Sequence, residues 1–216
     1  MNLTLLLDRS RELHDCLLDA SAGAQAVDFR WSVAQRACAV SWDHAIGLRL
    51  LLERELLVSA ISLLRLQYEA FTRAAWLGYT ASESELALVS APLSAETAEA
   101  AAGIPTLSKM IAQLGKADAI GARSAYEMLH SFKGPNWATL NSYVHSGIHP
   151  LAAVAPDFPK PLAVSVLRLS NGLAIGNGMV GAASSGRLSR VEAVRALQRQ
   201  FLDCCPPVAA AAKVDS

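Results

Sequence analysis

The sequence predicts an all-α fold, a single bundle of about seven or eight helices, and three observations predict it. Apolar residues recur every three or four positions along most of the 216-residue chain, the spacing that puts them on one face of a helix. No stretch alternates apolar and polar residues as a half-buried strand does. Apolar residues make up 52% of the chain and charged residues 18%, so many helices must be covered on more than one face. That excess predicts a thick bundle and a surface for self-association.

Residues 2–20 place Leu3, Leu6, Leu7, Leu13, Leu17 and Leu18 at helical spacing, with charges between them. Ser21 to Ala24 interrupts this first amphipathic helix, and Asp28 is placed to cap a second over 28–53. Along it Ala37, Ser41, His44, Leu48 and Leu51 form one stripe, which puts His44 on a face that otherwise looks inward. A third helix over 55–80 is apolar around most of its circumference, from Leu56 and Leu57 to Leu77 and Tyr79. Its polar residues are confined: Arg65, Glu69 and Arg73, spaced four apart, share a narrow strip with Thr72 and Trp76.

Residues 81–105 are rich in Ala, Ser and Glu and broken by Pro92, Gly103 and Pro105. They read as a short helix and a mobile connection near 90–105. Helices follow over 106–115, 118–131 and 136–146, the last begun by Pro135-Asn136 and ended by Gly147. The stretch from Pro150 to Pro161 is irregular. A weakly polar helix over 161–184 and a basic one over 189–203, with Arg190, Arg195 and Arg199, complete a single domain of residues 1–204; 205–216 is expected to be a disordered tail.

Nineteen basic and nineteen acidic side chains cancel, so no global field holds a polyanion. The cations are mostly Arg, whose fork suits a local phosphate or carboxylate contact. Cys16, Cys38, Cys204 and Cys205 show no metal or disulfide spacing and read as free thiols of a reducing compartment. The N-terminus lacks the features of a signal peptide. Arg65, Arg168, Asn171 and Asn177 break the apolar stretches short of membrane-spanning length. A cytoplasmic protein off the membrane is expected, without a metal or other cofactor.

Several letter patterns lack the context that their chemistry needs. Gly176-Asn-Gly178-Met-Val-Gly181 matches G-x-G-x-x-G, but a dinucleotide fold needs a strand before it and further βα units after it; small residues permitting close helix approach are the better reading. His145 and His149 lie four apart, as a helical metal site requires, yet Gly147 and Pro150 should end the helix and no third ligand is near. His145 is read as packed or hydrogen-bonded inside and His149 as capping a helix end. Gly181 to Gly186 lacks the strand-to-helix elbow that exposes a serine nucleophile. Metal-free RNA cleavage needs a base, an acid and a fixed cation. Arg123 with His130, or Arg9 with His14, offers such a pair only at spacings that chance also produces.

The Arg65, Glu69, Arg73 strip interrupts an apolar helix, so it is either solvent-facing or a buried ion ladder. If buried it must be paired, with Glu69 between the guanidiniums or against a histidine such as His44 or His145.

The segment from Ser59 to Leu77, with Arg65, Gln67, Tyr68, Glu69, Arg73 and Trp76, resembles the signature helix of a bacterial family of uncharacterised all-helical proteins. Asn141-Ser-Tyr143-Val-His145-Ser-Gly147 resembles its second motif. The correspondence runs over about 28–185; Leu66 stands where the family usually has Pro. The resemblance implies a shared polar centre of Arg65, Glu69, Arg73 and His145, and no activity. Such proteins are distantly similar to HEPN domains, helical bundles that often dimerise and in some branches cut RNA in toxin, antitoxin and phage-defence systems. The resemblance thus implies a HEPN-like bundle, although HEPN nucleases carry Arg and His close together on a late helix.

Three readings of function follow. In the first, the chain is a non-catalytic helical module, regulatory or antitoxin-like, with a structural or ligand-facing Arg/Glu/His polar centre. In the second, it is a metal-independent HEPN-like ribonuclease with His145, Arg65 and Glu69 as its catalytic residues, or His130 beside Arg123. In the third, it binds a small apolar or anionic ligand in a pocket lined by Trp42, Trp76 and Arg65. His44, Arg73, Trp76 and Tyr143 are the expected binding residues. A second copy of the chain and a protein partner are the expected associates, and RNA enters only with the nuclease reading.

Overall fold

The computed structural model describes residues 1–153 and 158–207, and among them every regular element is a helix. The α-helices are α1 (Leu3–Ser21), α2 (Phe29–Glu53), α3 (Leu57–Tyr79), α4 (Glu83–Ser90), α5 (Ala95–Ala100), α6 (Leu107–Lys116), α7 (Ile120–Val144), α8 (Ile148–Ala153), α9 (Lys160–Ala183) and α10 (Leu188–Gln200), with short 3₁₀ turns at Ala101–Gly103 and Leu202–Cys204. No helix among the described residues is long and apolar enough to cross a membrane.

The first element follows from its stripe: Leu6, Ser10, Leu13, His14 and Leu17 are the buried residues of α1, and Asn2 caps its first turn. Asp28 caps α2 as its position predicts, accepting from the Trp31 amide at 2.9 Å. Arg54, Glu55 and Leu56 then turn the chain, and α3 returns antiparallel along α2, with Ser41 against Gln67 and Gly47 against Leu63. In the turn Glu55 is left-handed (φ 58), and the Leu56 amide donates back to the Leu51 carbonyl at 2.9 Å, closing the exposed end of α2.

Two helices fill the middle of the bundle. α3 packs against α2, α6, α7 and α9, and α9 against α1, α2, α3 and α10. The weak polarity of α9 is therefore interior polarity, and each buried polar group on it ties down a neighbour. Gln67 Nε2 donates to the Ser170 carbonyl at 3.0 Å while Ser170 Oγ donates to Gln67 Oε1 at 2.7 Å. Asn171 Nδ2 donates to Ser10 Oγ and to the Cys204 carbonyl, both at 2.8 Å, and Asn177 Nδ2 to the Cys38 carbonyl at 3.0 Å. Buried amides left unpaired are costly, so these bonds fix which helices meet as well as how closely.

The described residues hold ten α-helices where about seven or eight were expected, and the differences have local causes. The helices expected over 118–131 and 136–146 are one, α7, with Pro135 inside it. A proline in a helix interior costs about 3 kcal/mol. Here α7 buries Ala125, Leu129 and Phe132 before the proline and Leu140 and Tyr143 after it, and Asn136 Nδ2 takes the Phe132 carbonyl at 2.7 Å. Tertiary burial on both sides outweighs the break. Residues 81–105 form two short helices rather than one, each started by a capping box, Ser82 with Glu85 and Ser94 with Thr97. The stretch expected to be irregular from Pro150 begins within α8, and its residues 154–157 lie outside the described ones. Cys205, at the expected start of the tail, is buried, with its carbonyl accepting from Arg168 at 2.7 Å; the expected tail from residue 208 onward lies outside the described residues. All four cysteines are free.

Candidate functional site

The ionic strip on α3 is a ladder. Arg65 Nη2 lies 2.5 Å from Glu69 Oε1, and Glu69 Oε2 lies 3.6 Å from Arg73 Nη1, so Glu69 stands between the two guanidiniums. The side chains of Arg65, Glu69 and Arg73 are 10%, 19% and 49% exposed: the ladder starts in the α3–α7 seam and climbs into solvent. Arg65 Nη1 also donates to Asn141 Oδ1 of α7 at 3.0 Å, and the guanidinium carbon lies 3.5 Å from the centre of the Trp137 ring. Both terminal nitrogens and one face of Arg65 are thereby engaged, while its Nε has no partner among the described residues. One turn before Arg65, Ser62 Oγ lies within hydrogen-bond reach of the Val58 carbonyl at 3.1 Å and of the Tyr143 carbonyl at 3.3 Å, so the seam continues to the end of α7.

No histidine among the described residues bonds to the ladder. His145 is the C-cap of α7 and is exposed, which corrects the expectation that it packs inside. Ser146 takes the left-handed conformation (φ 53), and the Gly147 amide returns to the Ser142 carbonyl at 2.8 Å. A Cβ at Gly147 would meet Ser142 Oγ at 2.6 Å. This Schellman turn directs the His145 ring outward. His149, expected to cap a helix end, is an exposed residue within α8, its amide held by Ser142 Oγ at 3.2 Å. His44 is half-buried on α2, and burial pushes its pKa down. Among the described residues neither His44 nor His145 has a side-chain hydrogen bond or ion pair, and no cluster of three or more His, Cys, Asp or Glu side chains suits a metal.

The other expected binding residues are spread out. Tyr143 is buried, its hydroxyl pKa raised by that burial. Trp76 is buried three turns along α3 from Arg65, and its Nε1 donates to Gln113 Oε1 at 2.6 Å. Trp42 packs against His14 of α1. Trp42, Trp76 and Arg65 therefore do not line a common pocket.

What the ladder does adjoin is a crevice of about 500 Å³ between α6 and α7, walled by Tyr126, His130, Lys133 and Trp137 on one side and by Ser108 and Ile111 on the other. Residues 126, 130, 133 and 137 follow the three-and-four rhythm of one helix face. Lys133 Nζ donates to Ser108 Oγ at 2.6 Å and sits 4.9 Å from the Trp137 ring centre. The His130 and Tyr126 rings are 5.3 Å apart. A larger groove of about 650 Å³ runs between α7 and α10, floored by Phe71, Ile175 and Val180 with Glu127 and Arg195 at its rim.

A second polar cluster, missed in the sequence, lies among α1, α2 and α9. His14 is 1% exposed, its ring edge-on to Trp42 at 5.7 Å, and neither ring nitrogen has a hydrogen-bond partner among the described residues. Burial pushes its pKa down to about 4; the Arg49 charge acts in the same direction, and the Asn171 amide beside the ring opposes both. Arg49, itself buried, pairs with Glu53 at 2.7 Å, and Glu53 also takes Arg11 at 3.0 Å. The signal was present: His14 falls four residues after Ser10 and three before Leu17, within the apolar stripe of α1.

Residues 38–207 match the model of a family of unknown function (DUF6988). No curated protein and no solved structure matches the chain.

Proposed function

Since the chain belongs to that family of unknown function, its role has to be read from its own geometry, and we propose that it is a non-catalytic helical binding module. On this reading the Arg65–Glu69–Arg73 ladder braces α3 against α7 and fixes Trp137 in the wall of the crevice. One observation carries it: the Arg65 guanidinium is engaged by Glu69, Asn141 and Trp137 at once. A ribonuclease of the metal-independent type needs a cation free to meet the crowded phosphate and an imidazole beside it. Here Arg65, the cation expected at the catalytic centre, is engaged within the seam, and the exposed His145 side chain has no partner among the described residues to orient it.

Expression of the wild type, His145→Ala and His130→Ala in cells tests the reading, with growth and total RNA integrity as readouts. All three should leave RNA intact and growth equal. RNA breakdown by the wild type that either substitution abolishes would overturn the non-catalytic reading in favour of the nuclease.

A further inference from the structure

We propose that the crevice between α6 and α7 binds a small anion carried on a planar aromatic ring. The proposal rests on the binding-module reading above and names the chemistry of what is bound. A volume of about 500 Å³ falls within the range of small-molecule sites. Charge selects the sign: Lys133 stands in the wall with His130 as a polar neighbour, no acidic side chain lines it, and Lys133 makes no ion pair among the described residues. The ammonium is directed by the Ser108 hydroxyl, so an anion entering the crevice meets a positioned cation and an adjacent hydroxyl rather than a freely moving lysine.

The walls select the shape. Trp137 and Tyr126 are only half-buried, and aromatic rings left partly open beside a cavity favour a flat partner, which gains by stacking on them. Trp137 is also held in place, because Arg65 lies against its ring and is itself tied to Glu69 and Asn141. One lysine and one histidine suit a single anionic group, whereas a polyanion requires a row of cations that a chain of zero net charge does not supply here.

Calorimetric titration of the full chain tests this with indole-3-acetate and adenosine 5′-monophosphate, each against its neutral twin, tryptophol or adenosine, and against acetate and inorganic phosphate. At least one anionic ring should bind saturably, and its neutral twin and the bare anion more weakly by about tenfold or more. Lys133→Gln should weaken binding by about tenfold, the worth of one charge-assisted contact, with an unchanged melting temperature. Trp137→Leu should remove binding; where it also lowers the melting temperature, the lysine variant decides. Failure of both anionic rings to bind at millimolar concentration, or binding indifferent to Lys133→Gln, overturns the proposal while intact RNA leaves the non-catalytic reading standing. RNA breakdown that depends on a histidine overturns that reading instead.

Discussion

Arg65 and Trp137 meet across the α3–α7 seam with the guanidinium carbon 3.5 Å from the ring centre, and Glu69 holds the other side of the same guanidinium. The two ends of the ladder should therefore respond differently to substitution. Glu69→Gln leaves a largely buried cation without its carboxylate and should cost about 2 kcal/mol. Arg73→Ala removes a half-exposed partner at 3.6 Å and should cost less than about 0.5 kcal/mol. Arg65→Lys keeps the charge but not the planar fork that serves Asn141, Glu69 and Trp137 together, and should cost about 1–2 kcal/mol. Urea unfolding checks all three; equal losses at Glu69 and Arg73 would contradict a ladder anchored in the seam.

His14 gives the fold a pH dependence whose sign follows from its burial. Its folded-state pKa of about 4 lies below the ordinary value of 6.5, so the unfolded chain takes up the proton first. Stability from this group is complete above about pH 6.5, declines as the pH falls towards 4, and changes no further below that. The total is roughly 3 kcal/mol. Urea midpoints at pH 7 and pH 4.5 should separate widely for the wild type and much less for His14→Gln. Parallel shifts in the two proteins would mean that the ring is not the titrating group.

How much of this was legible in the sequence differs by element. Periodicity located α1, α2, α3, α6, α9 and α10, and the ladder was legible because ionic residues four apart on an otherwise greasy helix have few places to go. The single α7 was not, since proline is a local signal and the burial of Phe132 and Tyr143 on either side of it is a tertiary one. The exposure of His145 was hidden for the same reason: the motif gives its neighbours in sequence, and a left-handed Ser146 decides its direction. The crevice was missed because Tyr126 and His130 fell in one expected helix, Trp137 in the next and Lys133 in the break between them, which concealed that they share one face.

Two helix ends are closed by residues that pay for a left-handed conformation without being glycine. Glu55 (φ 58) follows α2 and Ser146 (φ 53) follows α7, and a side chain in that region costs roughly 1 kcal/mol or more. Neither residue has a side-chain hydrogen bond among the described residues that would be lost. Glu55→Gly and Ser146→Gly should each stabilise the protein by about 0.5–1 kcal/mol, read as a rise in the thermal midpoint. A fall would show that the carboxylate or hydroxyl contributes more than the strain it accompanies.

The three glycines of the G-x-G-x-x-G run in α9 separate a packing role from a phosphate-binding one. A Cβ at Gly176 would lie 2.7 Å from Phe71 Cζ and 2.6 Å from Met128 Sδ, and one at Gly178 would lie 3.1 Å from Leu17 Cδ2; at Gly181 the nearest atom is Ser21 Oγ at 3.8 Å. Gly176 thus admits α3 and α7 to the surface of α9, Gly178 admits α1, and Gly181 admits nothing that an alanine would exclude. Gly176→Ala should overpack the core and cost about 1–3 kcal/mol. Gly178→Ala should cost less, because a leucine methyl can shift by the few tenths of an ångström required. Gly181→Ala should stabilise by about 0.5–1 kcal/mol, since alanine is the better helix former and nothing obstructs it. Thermal melts of the three variants rank them in that order if the run exists for helix packing. A uniform loss at all three positions would point to a backbone requirement that the contacts around α9 do not explain.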